Sequence, residues 1–208
     1  MTRNPRTLRL LVPTMLTFFT MGFVDSVGIA TNYIKDDFAL SDTLANLCPS
    51  MVFFWFLVCS VPTGMLMNRI GRKKTILFGC ALLAAMFLTF YFLTTLYSTI
   101  HPVMFVCFAL VGFAWAAINV NSLPMVVEMC KGSDIGKFTG YYYTASMAAQ
   151  VVTPIVAGSL MRAIDYRVLF PYAALFVALS FVTMLFVHHG DAKAEAKKGL
   201  EAFEEMDD

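Results

Sequence analysis

The sequence predicts an all-α integral membrane protein built as a bundle of six transmembrane helices. Three observations carry this. Of 208 residues, 59% are hydrophobic and only 14% are charged, against about 25% charged in soluble domains. The apolar residues gather into six runs, each long enough to cross a bilayer as a helix, which takes about 20 residues. The runs also lack the two-residue alternation of membrane β-strands, and helices are then the way to satisfy the backbone in lipid.

The runs cover residues 10–34, 44–67, 75–97, 103–127, 138–161 and 168–188, giving a transmembrane region over 1–189 and a polar tail over 190–208. Arg3, Arg6 and Arg9 precede the first run, which is too long for the core of a signal peptide and reads as an uncleaved first helix. Between the second and third runs, Asn68 to Lys74 holds four cations in a short connection. Gly64 and Gly71 let the chain turn there. Short basic connections stay on the cytoplasmic side. With the N-terminus inside, twelve of the fifteen Lys and Arg residues fall on that side, and only Lys35, Arg162 and Arg167 fall outside. The expectation is a multi-pass protein of the plasma (inner) membrane with both termini cytoplasmic.

The net charge of +1 comes from charges at the membrane edges rather than from a basic face, so no nucleic-acid partner is expected. The five cysteines form no C-x-x-C pair and read as small core hydrophobes. No phosphate-binding glycine loop, nucleophile arrangement or metal-ligand spacing occurs, so no enzyme activity, metal or cofactor is implied.

The polar residues inside the runs carry the functional signal. Asp25 lies about 15 residues into the first run, roughly 22 Å along a helix. A charged Asp at mid-membrane costs about 2.5–3.5 kcal/mol on insertion scales, and such residues face protein or water. At helical spacing it shares a stripe with Thr14, Thr17, Met21, Gly28 and Asn32, which predicts the lining of an aqueous cavity. An acid there can exchange a proton or bind a cation; the alternative is a structural hydrogen bond to another helix. In the fourth run Trp115, Asn119 and Ser122 share a face, while Asn121 points elsewhere. An indole plane beside amides suits a sugar, whose apolar face stacks on the ring while its hydroxyls bond the amides; helix-to-helix hydrogen bonding is the alternative. The fifth run gives the stripe Tyr143, Ser146, Gln150, Thr153, Ala157. Asn32, Trp115, Asn119, Tyr143 and Gln150 are the substrate-binding candidates. Gly136-x-x-x-Gly140, extended by Thr144 and Ala148, predicts a close helix-packing seam. Pro49, Pro62, Pro154 and Pro171 are kink candidates.

The stretch Gly64-Met65-Leu66-Met67-Asn68-Arg69-Ile70-Gly71-Arg72-Lys73-Lys74 resembles the loop after the second helix of major facilitator superfamily transporters, G-x-x-x-D-R-x-G-R-[KR]-[KR]. Asn68 stands where that pattern has Asp. The resemblance extends over all six runs and implies one half of a major-facilitator fold. It places Gly64, Asn68, Arg69, Gly71 and Arg72 at a cytoplasmic gate, with Glu128 as a partner for Arg69 or Arg72 across its mouth, or as a solvated helix end beside Lys131. The missing Asp charge at Asn68 implies a weaker latch.

Residues 1–97 are similar to the sugar–proton symporter branch, particularly its fucose/glucose-type members. That likeness implies proton coupling at Asp25. The branch's fourth-helix Glu has no counterpart in Ala116 to Val120. Residues 103–190, through Ile118 to Glu128 and Gly136 to Tyr142, resemble the last helices of a glycoside/sucrose-type sugar porter. The chain is then either a front piece joined to a back piece or a single six-helix half. The implied activity is secondary transport of a small polar solute, a sugar, with H+ (or Na+). A full transporter pairs two such bundles, so the implied partners are the lipid bilayer, the solute and its ion, and a second copy or a separate six-helix half. A non-transporting membrane subunit, or a truncated half needing a second bundle, is the alternative.

Overall fold

A helix lies in each apolar run, but in the first run, expected over 10–34, it ends at Gly22 with a turn at Phe23 and Val24. In the computed structural model, which describes residues 5–24, 31, 35–36, 38–130 and 134–189, the helices are α1 (Pro5–Gly22), α2 (Asp42–Ile70), α3 (Arg72–Leu96), α4 (Pro102–Val127), α5 (Ile135–Ala163) and α6 (Leu169–Leu185). A single 3₁₀ turn, Tyr166–Val168, precedes α6. The described residues contain no strand. All the helices after α1 are long and apolar enough to cross a membrane, while the apolar part of α1, Leu10–Gly22, is shorter. Asp25, Gly28, Asn32, Lys131 and the 190–208 tail lie outside the described residues.

Ser41 starts α2 by accepting a hydrogen bond from the Leu44 amide at 3.4 Å. His101 starts α4, its Nδ1 accepting from the Val103 amide, with Pro102 in the first turn where a missing N–H costs nothing. α2 and α3 are joined through Gly71 alone. Its φ of 91° is a region that favours glycine. Gly71 donates its amide to the Met67 carbonyl at 2.8 Å, closing α2. Its carbonyl accepts from the Thr75 amide and hydroxyl, opening α3. The basic connection is thus a rigid corner. Pro171 does not kink a helix: it falls in the first turn of α6, where backbone N–H groups have no intrahelical partner to lose.

α4 packs on α2 and α3, α1 packs on α5 and α6, and α3 packs on α6. Exchanging α1, α2, α3 for α4, α5, α6 maps this set of contacts onto itself. Because each helix and its counterpart are three spans apart, they run in opposite directions, as in an inverted repeat. Of the five longer spans α4 is the most enclosed and α2 the least. Most of the core, including Ile76, Leu83, Ile118, Met125, Val177 and Met184, therefore lies between α3, α4 and α6.

Without a hydrophobic drive between helices in lipid, close approach and hydrogen bonds hold them together. Three glycines provide the approach. A Cβ at Gly112 of α4 would lie 2.6 Å from the Trp55 Cβ of α2. At Gly79 of α3 it would lie 2.9 Å from the Ala114 carbonyl of α4, and at Gly22 of α1 2.4 Å from the Ser146 carbonyl of α5. Among the described residues nothing packs on Gly136 or Gly140: a Cβ at either position would meet no atom of theirs within 4 Å. α1 and α6 are joined by hydroxyls, with Thr17 donating to Thr183 at 3.0 Å and Ser180 donating to the Thr17 carbonyl at 3.0 Å.

Candidate functional site

The last turns of α1, together with α4 and α5, wall a polar recess of about 40 Å³. α4 contributes Trp115, Ile118, Asn119 and Ser122, α5 contributes Tyr142, Ser146 and Gln150, and α1 contributes Phe18, Met21 and Gly22. The α5 residues are four apart in sequence and so form one stripe. The Ser122 and Tyr142 hydroxyls share a hydrogen bond of 2.9 Å across the α4–α5 seam. Asn119 donates its amide to the Trp115 carbonyl at 3.0 Å, and Gln150 donates to the Ser146 hydroxyl at 3.4 Å. Both bonds use amide N–H groups and so aim the side chains. The recess holds about one water at liquid density, less than a sugar occupies.

Trp115, Asn119 and Gln150, singled out from the sequence, converge here. Tyr143 does not line the recess. It is 46% exposed, its ring 5.1 Å from that of Tyr142, because one residue turns a helix by about 100°. Tyr142 occupies the wall instead, and the even spacing Tyr142, Ser146, Gln150 was the signal for it. Thr153 turns away to donate to the Gly22 carbonyl at 3.4 Å. The expected α1 stripe also divides. Met21 reaches the recess, but Thr14 and Thr17 are fully buried. They donate to the Leu10 and Pro13 carbonyls, and Thr17 bonds Thr183 of α6, so they are packing residues rather than cavity lining. Asn121, buried, donates to the Ala117 carbonyl. Asp25 and Asn32 lie outside the described residues.

A second polar cluster lies at the basic end. Arg72, in the first turn of α3, forms an ion pair with Glu128 just past α4, their side chains 13% and 21% exposed. Lys73 donates to the Leu185 carbonyl at 3.0 Å, where a cation complements the end of the α6 dipole. His189 Nε2 lies 3.5 Å from the Thr14 hydroxyl. Burial, reinforced by Lys73, holds its imidazole below the usual 6.5, against an opposing hydrogen bond to the Met125 backbone. Arg69 is exposed. At the other end Lys35 pairs with Asp42 at 2.6 Å; the hydrogen bond and the carboxylate charge raise the lysine above its usual value.

Residues 14–205 match the sequence profile of the Major Facilitator Superfamily. The chain belongs to the major facilitator superfamily. Among solved structures, it is similar to a peptide transporter in complex with sulfate, with a TM-score of 0.74 and 17% identity over 95% of this chain and 42% of that one. It is also similar to the proton:xylose symporter XylE bound to 6-bromo-6-deoxy-D-glucose, with a TM-score of 0.71 and 15% identity over 88% of this chain and 45% of that one. No curated protein matches it in sequence. The chain thus spans less than half the length of these two transporters, in keeping with a superfamily half-fold.

Proposed function

We propose that this chain is one six-helix half of a secondary active transporter for a small polar solute of the sugar class, coupled to H+ through Asp25. The observation that carries the reading is the convergence of Trp115, Asn119, Tyr142, Ser146 and Gln150 on one recess inside a membrane bundle. The indole offers an apolar plane, and the amides and hydroxyls offer both donors and acceptors. Superfamily membership supports transport as the activity. The sugar class rests on the side-chain chemistry, with the xylose symporter's fold as a weaker support.

The recess is one wall, so a second bundle completes the site, either a second copy of this chain or a separate six-helix half. α2 and α5 suit that contact: Phe54, Leu57, Val61, Val151 and Ile155 are all exposed. Arg72 and Glu128, with Arg69, Gly64, Gly71 and Asn68 in the adjoining stretch, form the cytoplasmic gate in this reading, the termini and the basic end lying on the inner side of the plasma membrane.

The test is proteoliposome uptake driven by a pH gradient, with the wild-type chain and with Asp25→Asn. The wild type accumulates solute; the variant loses accumulation and keeps exchange of labelled for unlabelled solute. Unchanged accumulation by the variant refutes the coupling role. No uptake by any oligomer of the chain leaves it a subunit that needs a different half.

A further inference from the structure

A second cavity lies beyond Trp115, toward the end opposite the basic cluster. Its volume is about 130 Å³, and α2, α3, α4 and α6 supply most of its wall, including Val52, Leu83, Phe87, Phe108, Val111 and Ala173. Thr94 also lines it, but its hydroxyl is spent on the Phe90 and Tyr91 carbonyls at 2.9 and 3.1 Å. The described residues of its wall are almost all apolar, and apolar cavities of about 150 Å³ accept benzene.

Trp115 belongs to the walls of both spaces. On α4 the face runs Phe108, Val111, Trp115, Asn119, Ser122, so a single helix stripe changes from apolar to polar at the indole. We infer that the cavity is a subsite for one aromatic ring or compact alkyl group carried by the solute whose polar part contacts Asn119 and Gln150. The solute is then amphipathic, of the aryl- or alkyl-glycoside type rather than a free sugar. The volume matches a ring-sized substituent. The assignment of the polar part rests on the reading of the recess given above.

The chain has two tryptophans, so Trp55→Phe leaves Trp115 as the sole reporter of both spaces. In nanodiscs this protein would be titrated with benzene, then with methyl and phenyl β-glucosides. Benzene shifts the Trp115 emission saturably, and Ala173→Phe, which fills the cavity, removes the shift. Phenyl glucoside binds on the order of tenfold tighter than methyl glucoside, as expected for burying one ring; Ala173→Phe closes that gap and leaves methyl glucoside binding unchanged. Should Ala173→Phe fail to fold, Leu83→Ala enlarges the cavity and shifts the preference from benzene toward naphthalene. Absence of a saturable benzene response overturns the inference, as does a gap that survives in Ala173→Phe. A co-purified lipid released by benzene also overturns it, by giving the cavity to an acyl chain. A benzene response with neither glucoside binding, in nanodiscs that hold two bundles, supports the apolar subsite and refutes the sugar reading of the recess.

Discussion

The contact of α4 with α2 and α3 and the contact of α1 with α5 and α6 occupy equivalent places in the repeat, yet different chemistry holds them. On the α4 side, Gly112 presses against Trp55 and Val52, and Gly79 against Ala114 and Ile118. Apolar side chains fill that side between the helices, and the Arg72–Glu128 pair ties it at the basic end. On the α1 side one glycine, Gly22, meets Ser146 and Ala149, hydroxyls bond across through Thr17, Thr183, Ser180 and Thr153, and rings pack across as Phe18 on Tyr142 and Phe23 on Phe176. The polar recess opens where the α1–α5 contact adjoins α4. One backbone plan thus serves as a scaffold on one side and as the margin of a polar wall on the other, and side chains alone make the difference.

Substitution can break the comparison. Gly112→Val should have the largest effect, because its new carbons would have to displace the α2 backbone at Val52 and Phe56. A loss of about 3 kcal/mol, read by unfolding in a denaturing detergent series, would fit; a loss below about 0.5 kcal/mol would show that α2 can move away freely. Gly22→Ala should cost about 1–3 kcal/mol on the other side and also weaken solute binding, since it moves the α5 stripe that carries Ser146 and Gln150. Gly112→Ala, whose new carbon would press on Trp55 and on the α2 backbone at Val52 and Phe56, none of them in the recess wall, should destabilise without altering binding. If both variants affect binding equally, the two sides are not functionally distinct.

The polar ties form the next pair. Arg72→Gln should cost about 1–2 kcal/mol, between the values for exposed and buried pairs, with Arg72→Gln/Glu128→Gln recovering part of the loss. Thr17→Val should cost only about 0.6 kcal/mol, the average for such bonds within membranes. An equal cost for the two would mean that the ion pair is fully screened by water.

His189 gives the smallest effect. Its folded-state pKa lies below the usual 6.5, so at lower pH the unfolded chain takes up a proton that the folded one does not. Stability attributable to His189 is therefore present above about pH 6.5 and declines as pH falls from there toward the folded value. Paired unfolding measurements at pH 7.5 and 5.5 should show a smaller drop for His189→Asn than for the wild type. An identical drop would place the effect elsewhere.

The helical membrane fold was legible because burial in lipid imposes a long apolar run on every span, a local constraint that needs no knowledge of neighbours. Trp115, Asn119 and Gln150 were legible for a related reason: polar groups at mid-membrane are costly, and each marks a place facing something other than lipid. Which of several polar stripes would face the recess was decided by helix rotation. Thr17 and Thr153 look in sequence like cavity lining, yet α1's packing turns them onto α6 and onto the Gly22 backbone. Tyr142 replaces Tyr143 by one step of the same rotation.

The sequence by itself determined the fold class, the basic corner at Gly71 and the polar character of α4, because each follows from composition or from a single backbone requirement. Tertiary structure alone decided which glycines matter, that Arg72 meets Glu128, and that Trp115 stands between a polar recess and an apolar cavity. Those facts depend on distances between helices far apart in the chain, and no local pattern of residues encodes them.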